Sequence, residues 1–235
     1  MKCRAVFAAL VLFGILQCAA AEEYFNRDVP EAAAAKMKAI AKERQHLNVV
    51  AYTPKGGWSI LYGKNGSFNH DIPEEANKTL GKLARDGNEL RSIAFTHDGG
   101  WSILFDKNGF VNHNVPEECQ AKMTKIARDG GRLNCVAFTP KGGWSILFDK
   151  HGYLNHNIPE EAYLKMGKIA ANDGQLRWVA FTDKGGWSLL YDKNDSFSRD
   201  IPQEANRQMG KLAEDGLRVK CIAFTPHGGW TLLTD

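Results

Sequence analysis

Arg91-Ser-Ile-Ala-Phe-Thr-His-Asp-Gly-Gly-Trp-Ser-Ile-Leu-Phe-Asp-Lys-Asn-Gly-Phe-Val-Asn-His113 decides the fold. Arg91 to Thr96 is short, apolar and β-prone. His97-Asp-Gly-Gly100 is turn chemistry, because glycine takes positive φ without a steric penalty. Trp101 to Asp106 reads as a second strand, so the two form a hairpin. Lys107-Asn-Gly109 reads as a second turn, and Phe110 to His113 as a third short strand. Asn114-Val-Pro-Glu-Glu118 then starts a helix. The Asn followed by Glu resembles a capping box with Pro in the tolerant first turn. Cys119, Met123, Ile126 and Ala127 form one apolar helical stripe, and Asp129-Gly130 closes the helix.

The same unit recurs five times. Gly-Gly-Trp places Trp58, Trp101, Trp144, Trp187 and Trp230 at a constant spacing of 43 residues. Pro30, Pro73, Pro116, Pro159 and Pro202 keep the period, as do Thr53, Thr96, Thr139, Thr182 and Thr225. A repeat of this length marks a solenoid, propeller or array, and one unit alone buries too little surface to fold. The phase of the repeat bears on closure. Glu23-Tyr-Phe-Asn-Arg-Asp-Val-Pro30 aligns with Gly66-Ser-Phe-Asn-His-Asp-Ile-Pro73, a third strand and helix start. The chain ends at Trp230-Thr-Leu-Leu-Thr-Asp235, a second strand. The third strand missing from the last unit is therefore present at the N-terminus, which lets the termini complete one sheet and remove a free edge. The fold expected is mostly β with one helix per repeat, five β-β-β-α units in a closed, five-bladed, propeller-like toroid. An open α/β array is the alternative.

Met1 to Ala21 reads as a secretory signal peptide: Lys2 and Arg4, an apolar run from Ala5 to Leu16, then Ala19-Ala-Ala21. Residues 22–235 form one expected domain, secreted or periplasmic, with no membrane-inserted segment. Lys2 and Arg4 fall in the leader, leaving 28 basic against 27 acidic residues, a balance that argues against a nucleic-acid partner. Cys119, Cys135 and Cys221 follow the leader. They are either buried thiols or, if one bridge forms, Cys119 paired with Cys135.

Ala137-Phe-Thr-Pro-Lys-Gly-Gly-Trp144, Asp149-Lys150, Tyr153 and Ile158-Pro159 resemble the repeat of the tachylectin-2 type of five-bladed propeller lectin. The resemblance spans residues 22–235 and implies a carbohydrate-binding propeller. No sugar-contacting position of that family matches residue by residue, and none is transferred.

Nearly every polar residue recurs in all units, and no HExxH, GxSxG or phosphate-binding glycine loop is present. This pattern suits binding rather than catalysis and calls for no cofactor. Two residue sets are candidates. The five tryptophans, Trp58, Trp101, Trp144, Trp187 and Trp230, would stack on sugar rings if exposed, or pack into their own units. Arg27, His70, His113, His156 and Arg199 share one repeat position and would form a basic circle able to hold an anion. Their alternative is a solvated strand edge, and the arginines break any metal-ligand set. The expected partner is a glycan bound through equivalent pockets or, alternatively, an extracellular protein. A protein partner would require an asymmetric apolar patch of non-repeated residues such as Trp178, Tyr163 and Val111.

Overall fold

The computed structural model describes residues 24–235; the signal-peptide reading lies outside the described residues. The chain runs β1 (Tyr24–Arg27), α1 (Glu31–Lys42), β2 (Leu47–Tyr52), β3 (Trp58–Tyr62), β4 (Gly66–His70), α2 (Glu74–Arg85), β5 (Leu90–Phe95), β6 (Trp101–Phe105) and β7 (Gly109–His113). It continues through α3 (Glu117–Arg128), β8 (Leu133–Phe138), β9 (Trp144–Phe148), β10 (Gly152–His156), α4 (Glu160–Ala171), β11 (Leu176–Phe181), β12 (Trp187–Tyr191) and β13 (Asp195–Arg199). The last elements are α5 (Gln203–Glu214), β14 (Val219–Phe224) and β15 (Trp230–Thr234).

Blades 1 to 4 are the antiparallel sheets β2-β3-β4, β5-β6-β7, β8-β9-β10 and β11-β12-β13. Blade 5 is made from both termini: β14 and β15 are joined by β1 in the register Tyr24↔Leu233 to Arg27↔Trp230. The first strand of each blade touches its counterparts on both sides, β2 to β5, β5 to β8, β8 to β11, β11 to β14 and β14 back to β2. The ring is closed. The inner strands surround the axis, and the third strands lie at the rim.

The middle strands explain the near-continuous apolar run Trp-Ser-Ile-Leu, which is Trp-Ser-Leu-Leu in β12. All four of these residues are buried in β3, β6, β9 and β12, because both sheet faces are covered by protein. Five radiating sheets leave wide wedges, and the helices fill them. α2, α4 and α5 touch both the outer strand of the preceding blade and the sheet of their own. The predicted helical stripe is the buried one: Ala76, Leu80 and Leu83 in α2, and Cys119, Met123 and Ile126 in α3.

Three local readings need correction. Proline itself occupies each N-cap, with φ of −51° at Pro116, and no side chain caps a helix, so there is no capping box. Asp28, Asp71, Asn114, Asn157 and Asp200 instead turn the chain in the left-handed region, where short polar side chains are tolerated. The second turn is the three-residue loop Asp106-Lys-Asn108, with Asp106 at φ 48° and Gly109 already in β7. Asp106 accepts the Glu89 N–H at 2.8 Å, which, with Asn88, holds its carboxyl below the usual range. Finally, of the two cysteine readings the Cys119–Cys135 bridge falls and the buried thiols stand: Cys119, Cys135 and Cys221 are free and buried.

Burial pushes each of these thiols up to about 12 from an ordinary 9.0. The stabilisation from keeping them protonated is intact below pH 9 and is lost as pH rises toward 12, because the unfolded chain then releases protons that the folded one keeps. Stability should therefore fall from about pH 9 upward. At pH 8, alkylation mapped by mass spectrometry should label these three cysteines only after unfolding. Labelling of the native protein would contradict this burial.

The repeated Gly-Gly-Trp is a packing device. Gly56, Gly99, Gly142, Gly185 and Gly228 have φ between 78° and 89°. The second glycine lies under the left-handed residue of the same blade: a Cβ on Gly100 would overlap the Asn114 carbonyl. Each loop is tied by threonine, whose hydroxyl accepts the N–H of this second glycine, as in Gly100 to Thr96 at 2.7 Å. Gly100→Ala should cost about 3 kcal/mol, the upper end for overpacking, because backbone rather than a side-chain tip must move. Gly99→Ala, with open space around it, should cost only about 1–2 kcal/mol of left-handed strain. Equal losses in denaturant unfolding would contradict this assignment.

Candidate functional site

The two predicted residue sets turn out to be one. Trp and His or Arg are cross-strand partners, in the pairs Trp58↔His70, Trp101↔His113, Trp144↔His156, Trp187↔Arg199 and Arg27↔Trp230. His113 stacks on Trp101 with ring centroids 5.7 Å apart and 16° between planes, and His156 covers Trp144 in the same way. The tryptophans are 1–6% exposed. The indole N–H groups of Trp58, Trp101 and Trp144 are buried without an acceptor among the described residues. The expected sugar-stacking faces are therefore closed: Trp58, Trp101, Trp144, Trp187 and Trp230 are core.

The basic set does not converge. Arg27, His70, His113, His156 and Arg199 end the rim strands, one per blade, far from the axis. Four have nearby carboxylates: Arg27 with Glu204, His70 with Asp71 at 3.3 Å, His156 with Glu118 at 3.4 Å and Arg199 with Glu161 at 3.5 Å. These are exposed pairs of small energetic weight; three tie rim strand to helix, and His70–Asp71 joins chain neighbours. The described residues contain no group of three or more His, Cys, Asp or Glu placed to hold a metal.

What does converge is the end of the inner strands. Tyr52, Phe95, Phe138, Phe181 and Phe224 meet around a well of about 80 Å³ on the axis. Thr53, Thr139, Thr182 and Thr225 line it, with Pro54, His97, Pro140, Asp183 and Pro226. The Tyr52 hydroxyl bonds Thr231 Oγ1 of blade 5 at 2.7 Å, and burial pushes this phenol up, away from ionisation. Outside the well, the seams between blades open as clefts. One of about 330 Å³ holds Thr96, Asn114, Pro116 and Phe138; another, of about 380 Å³, holds Thr139, Asn157, Pro159 and Phe181. Each residue of the first corresponds to one of the second 43 positions later. The sequence signal for both features was the fivefold aromatic-Thr pair, which reads locally as an ordinary strand end.

The asymmetric patch is partly as expected. Tyr163 is 50% exposed on α4 and its neighbour Leu164 is 51% exposed. Tyr153 packs edge-on against Tyr163 at 6.1 Å. The equivalent pairs are Ala34-Ala35, Asn77-Lys78, Gln120-Ala121 and Asn206-Arg207, so α4 alone presents large apolar side chains there. Trp178 and Val111 are not part of the patch. Trp178 is half-buried at the seam between blades 4 and 5, where its indole N–H donates to the Ile222 carbonyl at 2.9 Å. Val111 packs into the core cluster of blades 1 and 2.

No family model matches the chain, and no curated protein matches it. Among solved structures, it is similar to "YCF48 bound to D1 peptide", with 8% identity and TM-score 0.38, covering 81% of this chain and 79% of that one. It is also similar to the β-propeller domain of Cps50 (Swd1) from Myceliophteria thermophila, with 9% identity and TM-score 0.35, covering 81% and 84%.

Proposed function

We propose that the protein is an exported, non-catalytic interaction scaffold whose partner is another protein, docked on α4 between blades 3 and 4. The observation that carries this reading is the break in symmetry at Tyr163 and Leu164. Evolution of a repeat toward equal units gives no packing reason for one helix to hold two exposed apolar side chains, whereas an anchor of aromatic and aliphatic groups suits a protein interface. A closed ring supplies the rigid support such an anchor needs. One patch per chain predicts one partner per chain.

The test compares the secreted protein with Tyr163→Ser/Leu164→Ser. A purified partner, identified by cross-linking in the native extracellular milieu, should bind the unaltered protein at one per chain in calorimetry. It should lose most of its affinity for the double variant, whose thermal midpoint should be unchanged. Equal affinity of the two proteins would remove this reading.

The seam clefts favour a second reading, carbohydrate binding. They are repeated, open, and combine a phenyl ring with an Asn side chain, a pairing that suits a sugar face and its hydroxyls. A glycan-array hit with a stoichiometry of two or more, insensitive to Tyr163→Ser/Leu164→Ser, would establish it in place of the first.

A further inference from the structure

We infer that the axial well binds a small oxyanion, seated on the hydroxyls of Thr53, Thr139, Thr182 and Thr225. These side chains are 5–8% exposed. Each Oγ1 already accepts a glycine N–H at 2.8 Å, from Gly57, Gly143, Gly186 and Gly229. Among the described residues, none of their hydroxyl protons has an acceptor. A hydroxyl that has spent one lone pair on an N–H is poised to donate, and the accepted bond polarises it further. Several such donors around one axis call for a group that only accepts, which is the character of a carboxylate, sulfate or phosphate oxygen. A cation would find one lone pair left on each hydroxyl and would leave all four protons without an acceptor.

Size agrees with this class. A well of about 80 Å³ has room for a few water molecules or one such group, not for a sugar ring. Lys55, Lys141 and Lys184 follow lining residues in sequence but do not line the well, so the attraction comes from the hydroxyl donors. Asp183 is the acidic member of a position held elsewhere by Pro54, His97, Pro140 and Pro226, and it opposes an anion from the wall of the well.

That opposition provides the test. The protein is titrated by calorimetry with phosphate, sulfate and acetate at constant ionic strength, chloride being the reference salt. One saturable site per chain is expected. Asp183→Asn should tighten it about tenfold, by removing one like charge a few ångströms away. Thr139→Val should weaken it about tenfold and Thr139→Ser should leave it intact. Should Thr139→Val fail to fold, the Asp183→Asn comparison decides alone. Preference for phosphate or sulfate would assign a tetrahedral oxyanion, and preference for acetate a carboxylate of the kind a peptide supplies; either supports the site. No saturable heat with any of the three, indifference to Asp183→Asn, or heat that follows the cation instead would overturn it.

Discussion

Deleting residues 22–30 is expected to lower the thermal midpoint by about 10 °C or more and to leave an aggregation-prone protein. The segment supplies β1, the outer strand of blade 5, which is far from it in sequence. Phe25 packs against the cluster of Trp230, Leu232 and Ile222, and Arg27 lies across from Trp230 and pairs with Glu204 on α5. Losing two part-buried aromatic side chains and a strand of ladder bonds costs of order 5 kcal/mol. In a domain of this size each kcal/mol moves the midpoint by roughly 2–4 °C. The deletion also uncovers β15 along its length, moving the open edge of blade 5 from a rim strand to a fully buried, apolar one. A synthetic peptide of residues 22–30 should restore part of the loss by adding the strand back in trans. An open array would respond with a loss of a few degrees and no aggregation.

Trp178→Ala should be the most damaging single substitution at the ring's inner seams, costing about 3 kcal/mol, the low end of the range for a core aromatic because the ring is part-buried. The equivalent residues are Val49, Ser92, Cys135 and Cys221, all small. Trp178 packs against the clusters of blades 4 and 5 and against the large cluster of blades 1, 2 and 5. Two members of the set cross the seam in the same way, Cys135 Sγ donating to Val179 O at 3.6 Å and Cys221 Sγ to Val50 O at 3.8 Å. They do so with weak donors and little volume. Trp178→Phe, which keeps most of the volume and loses the bond to Ile222, should cost about 1–3 kcal/mol. Chemical denaturation of the two variants separates packing from hydrogen bonding. Near-equal values would place the weight on the N–H instead.

The architecture was legible because it rests on periodicity. A 43-residue repeat, strand-length apolar runs and the helical stripe of Cys119, Met123 and Ile126 all survive folding unchanged. The split of one unit between the termini announced β1 beside β15. The site was less legible. Strict repetition is equally compatible with a core residue and a ligand contact, so Trp144 could not be assigned until its burial was known. The pairing of Trp101 with His113 was within reach, since a hairpin turning at Asp106 to Asn108 sets them opposite each other. The capping reading failed because Asn114 and Pro116 make a left-handed turn into a proline N-cap rather than an Asn cap. The axial well was hidden because its walls come from positions 43 residues apart that meet only when the ring closes.

Amide hydrogen exchange across Tyr24 to Arg27 tests that closure most directly. In a closed ring the β1 amides bonded to β15 should be protected to the same degree as those of β4 or β7, the rim strands of intact blades, and should open together with β14 and β15. Exchange of Tyr24 to Arg27 at the rate of an unstructured chain, with the other rim strands protected, would contradict the closed five-bladed ring.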